Sequence, residues 1–93
     1  MRVRFSDAAQ RDLENILYAM GAIDPERAKL TSRALRTLTR SIRLAPMLGS
    51  PVGPTSAIRK RRMPPYRLLY LVRSNEVLIL RIVHERSDWM ALV

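Results

Sequence analysis

Five structure-breaking residues fall within nine positions, Pro46, Gly49, Pro51, Gly53 and Pro54, and divide the chain into halves of different hydrophobic period. Proline fixes φ and removes a backbone donor, while glycine weakens any regular element, so this stretch reads as a loop. Before it, apolar residues recur at helical spacing. After it, they run in short strand-like blocks.

In the first half, Arg2-Val3-Arg4-Phe5 alternates as a short strand does. Ser6 suits a helix N-cap, with Asp7 favourable in the first turn. Ala9, Leu13, Ile16, Leu17 and Met20 follow on one helical face, and Gly21 is the expected stop. A second helix is predicted from Asp24-Pro25, a cap followed by proline at the first helical position. Its apolar stripe is Ala28, Leu35, Leu38 and Ile42, with Thr31 filling one place. In the second half, Ile58–Met63 is a charged strand, Tyr66–Val72 an apolar and aromatic one, and Glu76–His84 a long apolar one. Pro64-Pro65 turns the chain between the first pair, and Ser74-Asn75 suits a hairpin between the second. Helices and strands kept in separate runs predict an α+β fold. The expected form is an N-terminal strand, an antiparallel two-helix hairpin, then a three-stranded antiparallel meander with both helices on one face.

Ninety-three residues make a single domain, 1–93, with one modest core, so any function sits on a face or in a shallow groove. No cysteine is present and only one histidine, which argues against disulfides, thiol nucleophiles or a protein-held zinc, and no cofactor is expected. The first residues lack the apolar core of a signal peptide, and no apolar run is long enough for a membrane span. A cytoplasmic protein with no membrane partner is expected.

Charge is the informative quantity. Seventeen Lys and Arg face eight Asp and Glu, a net of +9, and fifteen of the seventeen are Arg. Between Arg27 and Arg73 lie twelve basic residues, those two included, and no carboxylate. Such a field attracts nucleic acid, an anionic membrane or an acidic protein, and arginine favours planar phosphate or carboxylate recognition. On the second helix, Lys29, Arg33, Arg36, Arg40 and Arg43 form one stripe beside the apolar one. It is either a solvated face or, through Arg33, Arg36 and Arg40, a surface for an acidic partner. Membrane attachment lacks an aromatic anchor on the apolar side.

The densest cluster is Arg59-Lys60-Arg61-Arg62. In a strand, Arg59 and Arg61 share one face and Lys60 and Arg62 the other. The segment is either an edge charged against aggregation or, with Arg67, Arg81 and Arg86, part of a phosphate-binding strip. Histidine is the side chain that exchanges a proton most readily near neutral pH, which makes His84 the one ready general base, unless its place at a strand end is structural. Trp89 either stacks a base or caps the core at the sheet edge.

Three segments carry a resemblance. Phe5-Ser6-Asp7-Ala8-Ala9 through Asp12-Leu13-Glu14-Asn15-Ile16, then Pro65-Tyr66-Arg67-Leu68-Leu69-Tyr70, then Val77–His84, are similar in pattern and order to the RelE/ParE toxin superfamily, over nearly the whole chain. The resemblance implies a helical hairpin on a twisted antiparallel sheet and a cognate antitoxin, acidic or amphipathic, forming a hetero-oligomer with the toxin. For RelE-like members it implies a ribosome-dependent mRNA endoribonuclease whose Arg and Lys side chains bind phosphate, stabilise charge and assist proton transfer, helped by a C-terminal aromatic. Arg67 matches the arginine of their Tyr-Arg-Leu strand, Arg86 falls near their C-terminal arginine, and Arg59 and Arg61 can stand for their strand lysines. Trp89 departs from their C-terminal tyrosine, and an indole is no acid or base at neutral pH. ParE-like members poison DNA gyrase instead, and His84-Glu85-Arg86-Ser87-Asp88 with Met90 is closer to that branch.

The expectation is therefore a gyrase poison of a toxin–antitoxin pair, with roles in growth inhibition and plasmid stabilisation. A RelE-like endoribonuclease using Arg67, Arg86 and His84, and a non-toxic nucleic-acid-binding module, are the alternatives. All depend on Arg59, Arg61, Arg67 and Arg86 converging on one solvent-facing surface.

Overall fold

A computed structural model describes all residues from Met1 to Val93. Strand β1 (Arg2–Phe5) leads into helix α1 (Asp7–Ile23) and helix α2 (Pro25–Leu44). A 3-10 turn at Pro46–Leu48 and a two-residue strand β2 (Ser50–Pro51) occupy the breaker-rich stretch. Strands β3 (Arg59–Met63), β4 (Tyr66–Val72) and β5 (Glu76–His84) form the meander, and a 3-10 turn at Trp89–Leu92 ends the chain.

Both helix starts follow their capping chemistry. The Ser6 hydroxyl accepts the Ala9 N–H at 3.0 Å and donates to the Leu80 carbonyl at 2.8 Å, tying the cap to the sheet. Asp24 accepts the Arg27 N–H at 3.1 Å, with Pro25 in the first turn of α2. Gly21 does not stop α1. Its φ is not positive, so no left-handed C-cap forms, and the helix runs on to Ile23. The stop is Asp24, whose N–H still donates to Met20, followed by a proline that cannot continue the ladder.

The sheet order is β1-β5-β4-β3-β2. The β3-β4-β5 meander is antiparallel as expected, but β1 pairs parallel with β5, from Arg2 opposite Glu76 to Phe5 opposite Ile79, so the sheet is mixed. Period-2 patterning assigns faces and leaves the partner open; β4 occupies one edge of β5, and β1 satisfies the other. A bulge interrupts β5, with Leu69 opposite Arg81 and Tyr70 opposite Ile79, so Leu80 has no partner on β4.

The core lies between helices and sheet. Ala9, Leu35, Leu38 and Ile42 pack with Met63, Leu68, Tyr70, Val77, Ile79 and Ile82. The far face is only partly open. Leu69, Val83 and Trp89 form a second, smaller cluster there, flanked by Val52 and Ile58. No helix is long and apolar enough to cross a membrane.

Candidate functional site

Alternation along β3 sends its cations to opposite sides of the sheet. Arg59 and Arg61 sit opposite Tyr70 and Leu68, core residues of the helix side. Arg59 Nη1 donates to the Gly49 carbonyl at 2.6 Å and the Met47 carbonyl at 3.3 Å. Arg61 Nη2 donates to Ser41 Oγ of α2 at 3.3 Å, and its Nη1 is buried without a partner. Between them the Tyr70 hydroxyl donates to the Pro46 carbonyl at 2.7 Å and accepts the Gly49 N–H at 3.1 Å. Burial pushes this hydroxyl above the ordinary tyrosine range, against the Gly49 N–H and the positive fields of Arg61 and Arg59. A Cβ on Gly49 would meet the Tyr70 hydroxyl and lie 2.9 Å from the Lys60 carbonyl, so the loop approaches the sheet as closely as it does because position 49 is glycine. Arg59 and Arg61 thus tie the loop and α2 to the sheet, and the expected convergence of Arg59, Arg61, Arg67 and Arg86 does not occur.

Lys60 and Arg62 take the other face, where Arg67 joins them directly opposite Arg62. Glu85 lies among them. Arg62 Nη2 and Nε approach its Oε2 at 3.1 and 3.3 Å, while Arg67 Nε stands 4.0 Å from the same oxygen, buried and without a hydrogen bond. Beside this trio the Trp89 ring packs on Leu69 and Val83 and is 7% exposed. The Lys60 ammonium sits 5.7 Å and the Arg67 guanidinium 5.3 Å from its centroid, each contact worth about 0.5–2 kcal/mol. Trp89 is a core cap and leaves no ring face for a nucleobase. The sequence signal for this cluster was parity: Lys60, Arg62 and Arg67 share a face once β3 and β4 pair in register.

The remaining candidates are dispersed. His84 pairs with Tyr66, its ring edge-on at 5.7 Å, and its Nδ1 accepts the Arg86 N–H at 3.1 Å. That register puts His84 on the side of the sheet opposite Arg67, whose partner is Val83. Arg86 is exposed, with no ion pair on its guanidinium. Arg81 does not join the strip. At the bulge it turns to α1, where its Nε and Nη2 reach the Asp12 carboxylate at 2.8 and 3.0 Å, and those hydrogen bonds hold it still more firmly protonated.

On α2, Arg36 and Arg40 do line a groove, of about 450 Å³, with Arg43, and Arg2 of β1 forms its far wall. Arg33 is exposed on the same helix and lies outside it. A second, mainly apolar hollow of about 440 Å³ is lined by Ile16, Ala19, Met20, Ile23 and Tyr66, with Arg27 at its rim. Neither hollow was legible in the sequence, because the first joins β1 to α2 and the second is closed by Tyr66 against the α1-α2 turn, and both depend on packing between segments distant along the chain. No group of three or more His, Asp or Glu side chains is placed to hold a metal ion.

Comparison with known proteins bears on this arrangement. Residues 3–89 match the family model described as "ParE toxin of type II toxin-antitoxin system, parDE". Among solved structures, the chain is similar to one from a chromosomal ParDE toxin–antitoxin system of P. aeruginosa, with TM-score 0.75 and 19% identity over 90% of this chain and 95% of that one. It is similar to one from the RelBE2 toxin–antitoxin complex of Mycobacterium tuberculosis, with TM-score 0.65 and 26% identity over 89% and 95%. A YoeB/ParE toxin of Agrobacterium tumefaciens aligns with TM-score 0.66 and 16% identity over 90% and 98%. No curated protein matches significantly.

Proposed function

The chain belongs to the ParE toxin family of type II toxin–antitoxin systems, and on that premise we propose that it arrests growth by binding DNA gyrase in the cytoplasm and is neutralised by a cognate antitoxin. The observation that carries this reading is the separation of Arg67 from His84 by the sheet itself. Nucleolytic cleavage with His84 as the general base would need that histidine beside the cations that steady the phosphate. Here the cations Lys60, Arg62 and Arg67 gather on one face, the histidine lies on the other, and the nearby acid, Glu85, is engaged by Arg62. A surface built that way suits binding better than turnover.

The antitoxin fits the apolar hollow between the start of α2, the end of α1 and Tyr66. Ile23 is 89% exposed at its margin, and such a residue is a natural anchor for an amphipathic partner helix. The cationic stripe of α2, including Arg33, Arg36 and Arg40, would draw an acidic partner toward it.

A ribosome-dependent endoribonuclease is the second reading, favoured by the convergence of Lys60, Arg62 and Arg67 beside one carboxylate. Incubating the purified chain with gyrase, supercoiled plasmid and ATP separates the two. Trapped, cleaved plasmid with intact cellular mRNA supports gyrase poisoning. Codon-phased mRNA 5′ ends in expressing cells, with plasmid left uncut, would replace it by the endoribonuclease.

A further inference from the structure

The groove between β1 and α2 has no part in the site on the far face of the sheet. Arg2 stands on one wall and Arg36, Arg40 and Arg43 on the other. None of the four has an ion pair; the carboxylates that do pair are taken by Arg4, Lys29, Arg62, Arg67 and Arg81. No carboxylate lines the groove; Glu76, opposite Arg2 on β5, offsets Arg2 in part, while the mutual repulsion of Arg36, Arg40 and Arg43 is left for a bound polyanion to relieve. A cation in the last turn of a helix complements its dipole, which accounts for Arg43, and Arg2 faces Glu76 across the β1-β5 pair; Arg36 and Arg40 are left without a structural reason.

Geometry narrows the polyanion. Positions 36, 40 and 43 share one helical face and rise about 10 Å along it. A DNA strand carries a charge every ~3.4 Å of duplex axis, so about three successive phosphates span that length. Only Met1 and Val3 line the groove as apolar residues. An amphipathic peptide would find little to bury there, and unstacked bases would find no aromatic to stack on. A duplex needs neither, since its bases are already paired and it presents a bare row of phosphates. We propose that the groove walled by Arg2, Arg36, Arg40 and Arg43 is a sequence-independent binding site for the phosphate backbone of double-stranded DNA. This goes beyond the gyrase reading and stands or falls separately from it, because its readout is binding by the isolated chain.

The test is a titration of a short fluorescent duplex with the full chain, repeated between about 50 and 200 mM salt. Arg36→Gln/Arg40→Gln is compared with Arg11→Gln/Arg73→Gln, which removes the same charge from exposed positions outside the groove. The slope of log affinity against log salt should fall by about two in the groove variant and stay near the parent value in the control. Arg2→Gln, on the opposite wall and outside any helix, should lower it by about one; this keeps the test decisive if the α2 variant folds poorly. Equal effects of the two double variants, or no duplex binding at the lowest salt, would overturn the proposal. Tighter binding of polyglutamate or of single-stranded RNA than of the duplex at matched charge would overturn it too, in favour of an acidic polypeptide or a single strand.

Discussion

Arg81 and Asp12 meet between β5 and α1 through two hydrogen bonds, 2.8 and 3.0 Å long, and the same carboxylate accepts the Ile82 N–H at 2.9 Å. The β5 bulge makes this possible, because it lets two successive residues, Arg81 by its side chain and Ile82 by its backbone, address one acid on the helix.

Removing that acid strands both donors. Asp12→Ala should cost about 1–3 kcal/mol, the penalty for leaving partly buried donors without an acceptor. Urea unfolding followed by circular dichroism measures it. A change within error would mean that solvent replaces the carboxylate and that the helix–sheet clasp contributes nothing.

Trp89 covers Leu69 and Val83 on the far face of the sheet. Trp89→Ala should lower stability by about 3 kcal/mol, and Trp89→Phe by less, since a smaller ring fills part of the cavity. Trp89 is the chain's only tryptophan, so its fluorescence reads the same packing directly. Emission of the native protein should lie to the blue of the denatured protein, and a native spectrum already as red as the denatured one would contradict the cap.

Tyr70→Phe deprives the buried Gly49 N–H of its acceptor and the Pro46 carbonyl of its donor, at a cost of about 1–3 kcal/mol. The pH dependence follows from the raised folded-state pKa. The native state disfavours the phenolate, so this contribution is whole below the unfolded value near 10.0 and is lost as pH rises through the folded value. Ultraviolet titration should therefore show one of the three tyrosines ionising late, and Tyr70→Phe should remove that component.

His84→Ala should leave growth arrest intact under the gyrase reading, because His84 lies on the opposite side of the sheet from Lys60, Arg62 and Arg67. Arg62→Ala/Arg67→Ala should weaken it. Colony survival after induction, with protein level checked, reads both. Survival of the His84 variant beside arrest by the double variant would reverse the assignment.

Much of this was legible in advance, and the misses share a cause. Ser6 and Asp24-Pro25 announced both helix starts, since a cap is settled by a few neighbouring residues. Gly21 misled because glycine ends a helix only when its backbone turns left-handed, and here the helix is continued to a proline. Arg59 and Arg61 were known to share a face, yet which face followed from β3 pairing with β4, and that pairing put them against α2 and the loop.

What the sequence determined alone was the local and the periodic: two amphipathic helices, four strands, their order, and a cationic surplus. Those properties are carried by neighbours a few positions apart, so the chain need not be folded for them to be read. Tertiary structure decided which cations stay free. Arg81 was taken by Asp12, sixty-nine positions away, and Arg62 by Glu85, twenty-three away, while Arg2 was brought to Arg36, Arg40 and Arg43 with no acid between them. Charge is a sum over the sequence, but its neutralisation depends on distances that packing of α1, α2 and the sheet sets.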